Sequence, residues 1–102
     1  MLSEFGLINK FTAVAGKREV LAEYFIDAAS TMKELNECIL YEVGLSEENT
    51  EDIYVYEVWI NNKAHRTSLS MGATQKLIQN AKPYIHEIER ITTFKPVGGK
   101  GI

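Results

Sequence analysis

Six side chains in this sequence have the chemistry to hold and activate a small oxygen-bearing molecule: Asn9, Glu57, Trp59, His65, Ser68 and Tyr24. Asn9 stands between Leu7 and Phe11, where a strand would otherwise bury an apolar side chain. A buried amide there is costly unless hydrogen-bonded, so Asn9 is either a satisfied core or surface amide or a donor to a ligand oxygen. His65 titrates near neutral pH and can shuttle a proton, although a surface histidine fits its position equally well. Asn9 and His65 are the candidate catalytic pair. Trp59 offers a flat wall on which an aromatic ring stacks, against the plainer role of a core residue. Glu57 shares its strand face; it is either a structural partner of Lys10 or Arg90, or a general base if its pKa is raised. Ser68 follows His65 by three residues, on the same side of a helix, and could bind a substrate hydroxyl. Tyr24 and Tyr84 could line a pocket, but both sit at apolar helical positions that suit core packing.

Other chemistries find little support. His65, His86 and the lone Cys38 provide none of the usual metal-ligand spacings. A single cysteine allows no internal disulfide and suits a reducing compartment; Cys38 opens an apolar stretch and reads as a small buried residue. The net charge of −3 does not suit nucleic acid. Met1-Leu2-Ser3-Glu4 lacks the basic and apolar segments of a signal peptide. No apolar stretch approaches the roughly 20 residues of a membrane span, so the expected location is the cytoplasm. Gly98-Gly99-Lys100-Gly101 is not a phosphate loop, since no helix can follow it.

The elements that must position the six candidates follow from periodicity. A strand is expected from Phe5 to Val14, with Leu7, Asn9 and Phe11 on one face. Val20, Leu21, Tyr24, Phe25, Ala28, Ala29 and Met32 recur at helical spacing, predicting a helix from about Lys17 to Leu35. Cys38 to Leu45 is a second strand, with Ile39, Tyr41, Val43 and Leu45 together. The polar run Ser46–Asp52 is a hairpin loop, and Tyr54–Ile60 is a third strand. A short helix near Lys63–Ser70 and another over Ala73–Lys82 follow, ended by Pro83. Glu87 to Lys95 is a fourth strand, with Ile88, Arg90, Thr92 and Phe94 on one face, and residues 96–102 form an irregular tail.

Strand, helix, strand, strand, helix, strand is the order of an α+β, ferredoxin-like βαββαβ domain with a four-stranded antiparallel sheet. Its 102 residues make one domain. Right-handed crossovers put the helices on one side of the sheet. The other side is left bare, and every strand face available to fill it contains bulky apolar residues. Two such sheets are expected to pack face to face in a homodimer, leaving a cleft beneath the helices. Strand parity leaves open whether Trp59 faces that cleft or the dimer core.

Over residues 5–97 the chain resembles the antibiotic biosynthesis monooxygenase family. The resemblance is carried by Asn9 on the first strand, by Tyr56-Glu57-Val58-Trp59 and by Ala64-His65. Gly6–Ala13 and the tail Pro96–Gly101 are similar to the family's quinol monooxygenase-like members. The resemblance implies a dimeric α+β barrel. It also implies a pocket where an electron-rich phenol or quinol reacts with oxygen without metal or flavin. The haem-degrading branch is disfavoured: where it has a tryptophan and a histidine, this chain offers Ser68 and Ile78.

The expected function is therefore cofactor-independent oxygenation of a small aromatic substrate. The rivals are a non-catalytic dimer that binds a small ligand, and an isomerase of a small sugar-like metabolite. The isomerase would need polar pocket walls.

Overall fold

The computed structural model describes residues 4–101; Met1–Ser3, read above for a targeting signal, and Ile102 at the tip of the tail lie outside them. Strands β1 (Phe5–Ala13), β2 (Cys38–Leu45), β3 (Asp52–Trp59) and β4 (Ile85–Phe94) form one antiparallel sheet in the order β2-β3-β1-β4. Helices α1 (Arg18–Met32), α2 (Asn62–Leu69) and α3 (Gly72–Ala81) cover one face. The expected ferredoxin-like architecture is what forms. None of the described helices is long and apolar enough to cross a membrane.

Helices α1 and α2 have local causes. Leu21, Ala22, Phe25, Ala28 and Met32 place one buried stripe along α1. This helix ends three residues before the expected Leu35. Glu34 and Leu35 instead donate backbone bonds to Thr31 and Met32, tightening the chain into a turn. That turn delivers Leu35 onto Leu7, Met32 and Trp59. Asn61 starts α2: its Oδ1 accepts from Ala64 N at 2.7 Å and satisfies one of the free amides of the first turn. Pro83 falls in a single 3₁₀ turn, Lys82–Tyr84, that joins α3 to β4.

The sheet has three register breaks, at Ile39, at Ile91 and at His86, and the first two alter which side chains share a face near the site. Between β2 and β3, Cys38 pairs with Trp59 but Leu40 pairs with Val58, so Ile39 is the extra residue. Between β1 and β4, Ile8 pairs with Thr92 but Asn9 pairs with Arg90, so Ile91 is extra. The expected set Ile88, Arg90, Thr92 and Phe94 is thereby divided. Ile88 and Arg90 face the helices with Phe11 and Asn9, whereas Thr92 and Phe94 face the other way with Ile8 and Gly6.

The helix-free face is apolar at one end only. The Phe94 ring lies directly on Gly6 and meets Tyr56 edge-on, 5.7 Å between centroids. Ile8 and Leu40 are half-buried there and Tyr54 is exposed. At the other end Lys10 Nζ pairs with Glu89 at 3.2 Å, and Thr12 Oγ1 donates to Asp52 Oδ1 at 2.7 Å.

Candidate functional site

Alternation along β1 and β3 places Leu7, Asn9 and Phe11 beside Glu57, Val55 and Ile53 under the helices. Leu7, Ile53 and Val55 are sealed into the core. Around Asn9 and Glu57 the helices stand off, leaving a cavity of about 310 Å³. This is the small end of the range for ligand sites and suits a molecule of one or two rings. Strands form its floor through Asn9, Phe11, Glu57 and Arg90; α2 and α3 form its roof through His65, Ser68, Thr74 and Ile78. Most of the remaining wall is apolar, with Met32, Phe25 and Leu77 among its members.

The polar groups are held in defined states. Arg90 Nε donates to Asn9 Oδ1 at 2.9 Å. With its oxygen so engaged, the Asn9 amide has its NH₂ group left to donate. Glu57 is buried, and burial pushes its carboxyl above the usual range; the Trp59 hydrogen bond and the Arg90 charge pull the other way without winning. His65 is buried between the rings of Phe5 and Trp59, at 5.5 and 5.8 Å. Burial lowers its pKa, and Arg90 and Arg66 lower it further, so all three favour the neutral imidazole. A neutral histidine is ready to accept a proton, and Asn9 with Arg90 is ready to receive a developing oxyanion.

Four of the six expected residues meet on this cavity: Asn9, Glu57, His65 and Ser68. The Ser68 hydroxyl donates to the His65 carbonyl at 2.6 Å, so toward a ligand it offers lone pairs only. Trp59 lies under the helices, not on the bare sheet face. Yet it walls a neighbouring cavity of about 320 Å³ with Leu35, Ala64 and Met71. Toward Asn9 its contribution is indirect: Nε1 donates to Glu57 Oε1 at 2.9 Å. Tyr24 is not on the cavity. It stacks on Tyr84 at 5.9 Å and borders a shallow groove between α1 and α3. The cause is helical rotation: neighbouring residues diverge by about 100°, and Phe25 takes the inward direction. Lys10 does not pair with Glu57, because the two point to opposite faces of the sheet.

Sequence reasoning missed Arg90, Tyr41 and Thr74 as cavity residues. Tyr41 was legible through its alternation with Val43. Arg90 was obscured by the extra residue at Ile91, and nothing in the sequence marks Thr74. Among the described residues no cluster of His, Cys, Asp or Glu could hold a metal ion. Burial pushes the Cys38 thiol up to about 11, which makes it a poor nucleophile at neutral pH.

The model of the family described as antibiotic biosynthesis monooxygenase matches residues 5–80. Among solved structures, the chain is similar to a candidate antibiotic biosynthesis monooxygenase of Chloroflexus aurantiacus J-10-fl. The identity is 33%, the TM-score 0.84, and the alignment covers 98% of this chain and 99% of that one. Like-named proteins of Deinococcus radiodurans (18% identity, TM-score 0.81, 96% and 97% covered) and Nitrosomonas europaea (9%, 0.87, 95% and 93%) share the fold. No curated protein matches the chain.

Proposed function

Because the chain belongs to the antibiotic biosynthesis monooxygenase family, we propose that it oxygenates a small phenolic or quinol-type aromatic with O₂, unaided by metal or flavin, in the cavity under α2 and α3. The observation that carries this reading is the convergence of Asn9, Arg90, Glu57 and His65 on an otherwise largely apolar cavity. A flat aromatic fits the apolar walls, and its oxygen would meet the polar cluster.

In this reading His65 takes the proton of the substrate hydroxyl. The resulting phenolate, held by Asn9 and Arg90, is electron-rich enough to reduce O₂. A carbon–oxygen bond forms, the ring carbon loses its hydrogen as a proton, and O–O cleavage releases water. A hydroquinone and O₂ thus give a hydroxyquinone and H₂O, with every electron supplied by the substrate. In this reading Glu57, whose carboxyl burial pushes above its usual range, supplies the proton that leaves as water. Trp59 acts as the positioning residue for Glu57.

The assembly proposed is a homodimer joined through the helix-free faces. The patch of Ile8, Leu40, Tyr54, Tyr56 and Phe94 supports it, and the Lys10–Glu89 pair would lie toward the rim.

Oxygen uptake by metal-free protein with a panel of hydroquinones tests the activity. The expected product carries one more oxygen and two fewer hydrogens than the substrate. Asn9→Ala and His65→Ala should abolish turnover with the dimer intact. Unchanged rates in both would reject those roles, and saturable binding with no oxygen uptake would favour a ligand-binding protein on the same scaffold.

A further inference from the structure

Among the described residues that line the cavity, those exposed to solvent are Leu69, Ile78, Ile88 and Arg90. They come from the end of α2, from α3 and from β4, so the cavity opens between these elements. The aliphatic side chains at this mouth, Leu69, Ile78 and Ile88, are 45%, 46% and 58% exposed. Single apolar residues scattered over a surface are ordinary, but several gathered on the rim of a cavity mark a binding groove. Arg90 adds to this collar: its Nε is engaged by Asn9, and its methylene stem offers further apolar surface. The proposed dimer would leave the collar open, since Ile88 stands opposite Phe11 on the helix side of the sheet.

Size and composition identify the occupant. One or two rings fill a space of about 310 Å³, so a longer substituent has to leave through the mouth and lie on the collar. Three side chains are too few for a protein partner, which needs roughly 800 Å² on each side. A membrane-facing rim would carry aromatic anchors, and the collar has none. We infer that the substrate is an amphiphile: an oxygen-bearing aromatic head seated in the cavity, carrying an aliphatic chain of several carbons that lies across Leu69, Ile78 and Ile88. The head rests on the reading under Proposed function; the chain goes beyond it. Apolar contact is non-directional and scales with the area covered, so the collar should read chain length.

Calorimetric titration without oxygen, where nothing turns over, measures the affinities of 2- and 4-alkylphenols from methyl to heptyl. Full burial of one methylene strengthens binding about fourfold, and on a half-open collar about twofold is expected. In wild type at least one series should therefore climb about tenfold or more from methyl to heptyl. Leu69→Gln combined with Ile88→Thr should cut that heptyl-to-methyl ratio about fivefold. Ile26→Gln, which alters an exposed aliphatic residue of α1 away from the cavity, should leave the ratio as it is. Flat series in wild type, an unchanged ratio in the double variant, or an equal fall in Ile26→Gln would each overturn the inference. A solution mass that drops in the double variant would also overturn it and give the collar to a second copy. Binding of ligand-free protein to phosphatidylcholine vesicles, lost in the double variant, would overturn it in favour of a membrane surface. If methylphenol binds and the chain adds nothing, the inference falls while oxygen uptake still decides the activity. If no phenol binds, both fall.

Discussion

Arg90 Nε donates to Asn9 Oδ1 at 2.9 Å, across 81 positions of sequence. The bond sets which end of the Asn9 amide meets a ligand. The same guanidinium depresses the pKa of His65 and opposes the upward push of burial on Glu57. One side chain on β4 therefore acts on all three of the groups proposed to handle the proton and the oxyanion.

Removing that charge should move the pH profile. In wild type the acid limb of kcat/KM, set by His65, is expected below the ordinary histidine value of 6.5. Arg90→Gln should shift the limb upward and lower the plateau about 10²-fold, the usual loss for an oxyanion donor. Arg90→Lys keeps the charge but lacks the Nε donor, so it should lower the plateau and leave the limb in place. A limb that does not move in Arg90→Gln would detach His65 from Arg90.

Glu57 and His65 should give stability opposite slopes with pH. The folded pKa of Glu57 lies above 4.5; its contribution is therefore fully present below that value and is lost as pH rises through the raised one. The folded pKa of His65 lies below 6.5, so its contribution is present above 6.5 and lost as pH falls through the lowered value. Glu57→Gln keeps an oxygen for Trp59 Nε1 and removes the first slope. Urea midpoints from about pH 4 to 8 should show this variant gaining on wild type as pH rises; parallel curves would contradict it.

Charge on the bare sheet face should disperse the dimer. Ile8→Glu or Tyr54→Glu places a carboxylate in the apolar patch, where an interface would strip it of water. Light scattering should find wild type at twice the chain mass and both variants at one. A wild-type mass of one chain at all concentrations would end the dimer proposal.

A side chain at Gly6 should displace the Phe94 ring. A Cβ there would lie 2.5 Å from the Phe94 ring, and displacing the ring breaks its edge contact with Tyr56. Gly6→Ala is expected to cost about 1–3 kcal/mol, as overpacking does. Pairing it with Phe94→Leu should recover part of that loss in thermal melts; a fully additive pair would mean the two positions do not interact.

The order of elements and most of their bounds were legible because they depend on near neighbours. Alternation in Tyr54–Trp59, the stripe from Leu21 to Met32 and the stop at Pro83 are local signals. They also sufficed to place Asn9, Glu57, His65 and Ser68 where they could meet. The inward turn of Phe25 in place of Tyr24 depends on how far α1 is rotated against the sheet, which residues distant in sequence set.

By itself the sequence determined a four-stranded sheet with helices on one side, because periods of two and of 3.6 residues are written into adjacent positions. Only the tertiary structure decided that Trp59 lies beneath α2, that Ile91 bulges to turn Arg90 onto Asn9, and that Leu69, Ile78 and Ile88 gather at one cavity mouth. Each of these depends on register and packing between segments far apart in the chain, and a one-residue slip reverses the face of everything that follows.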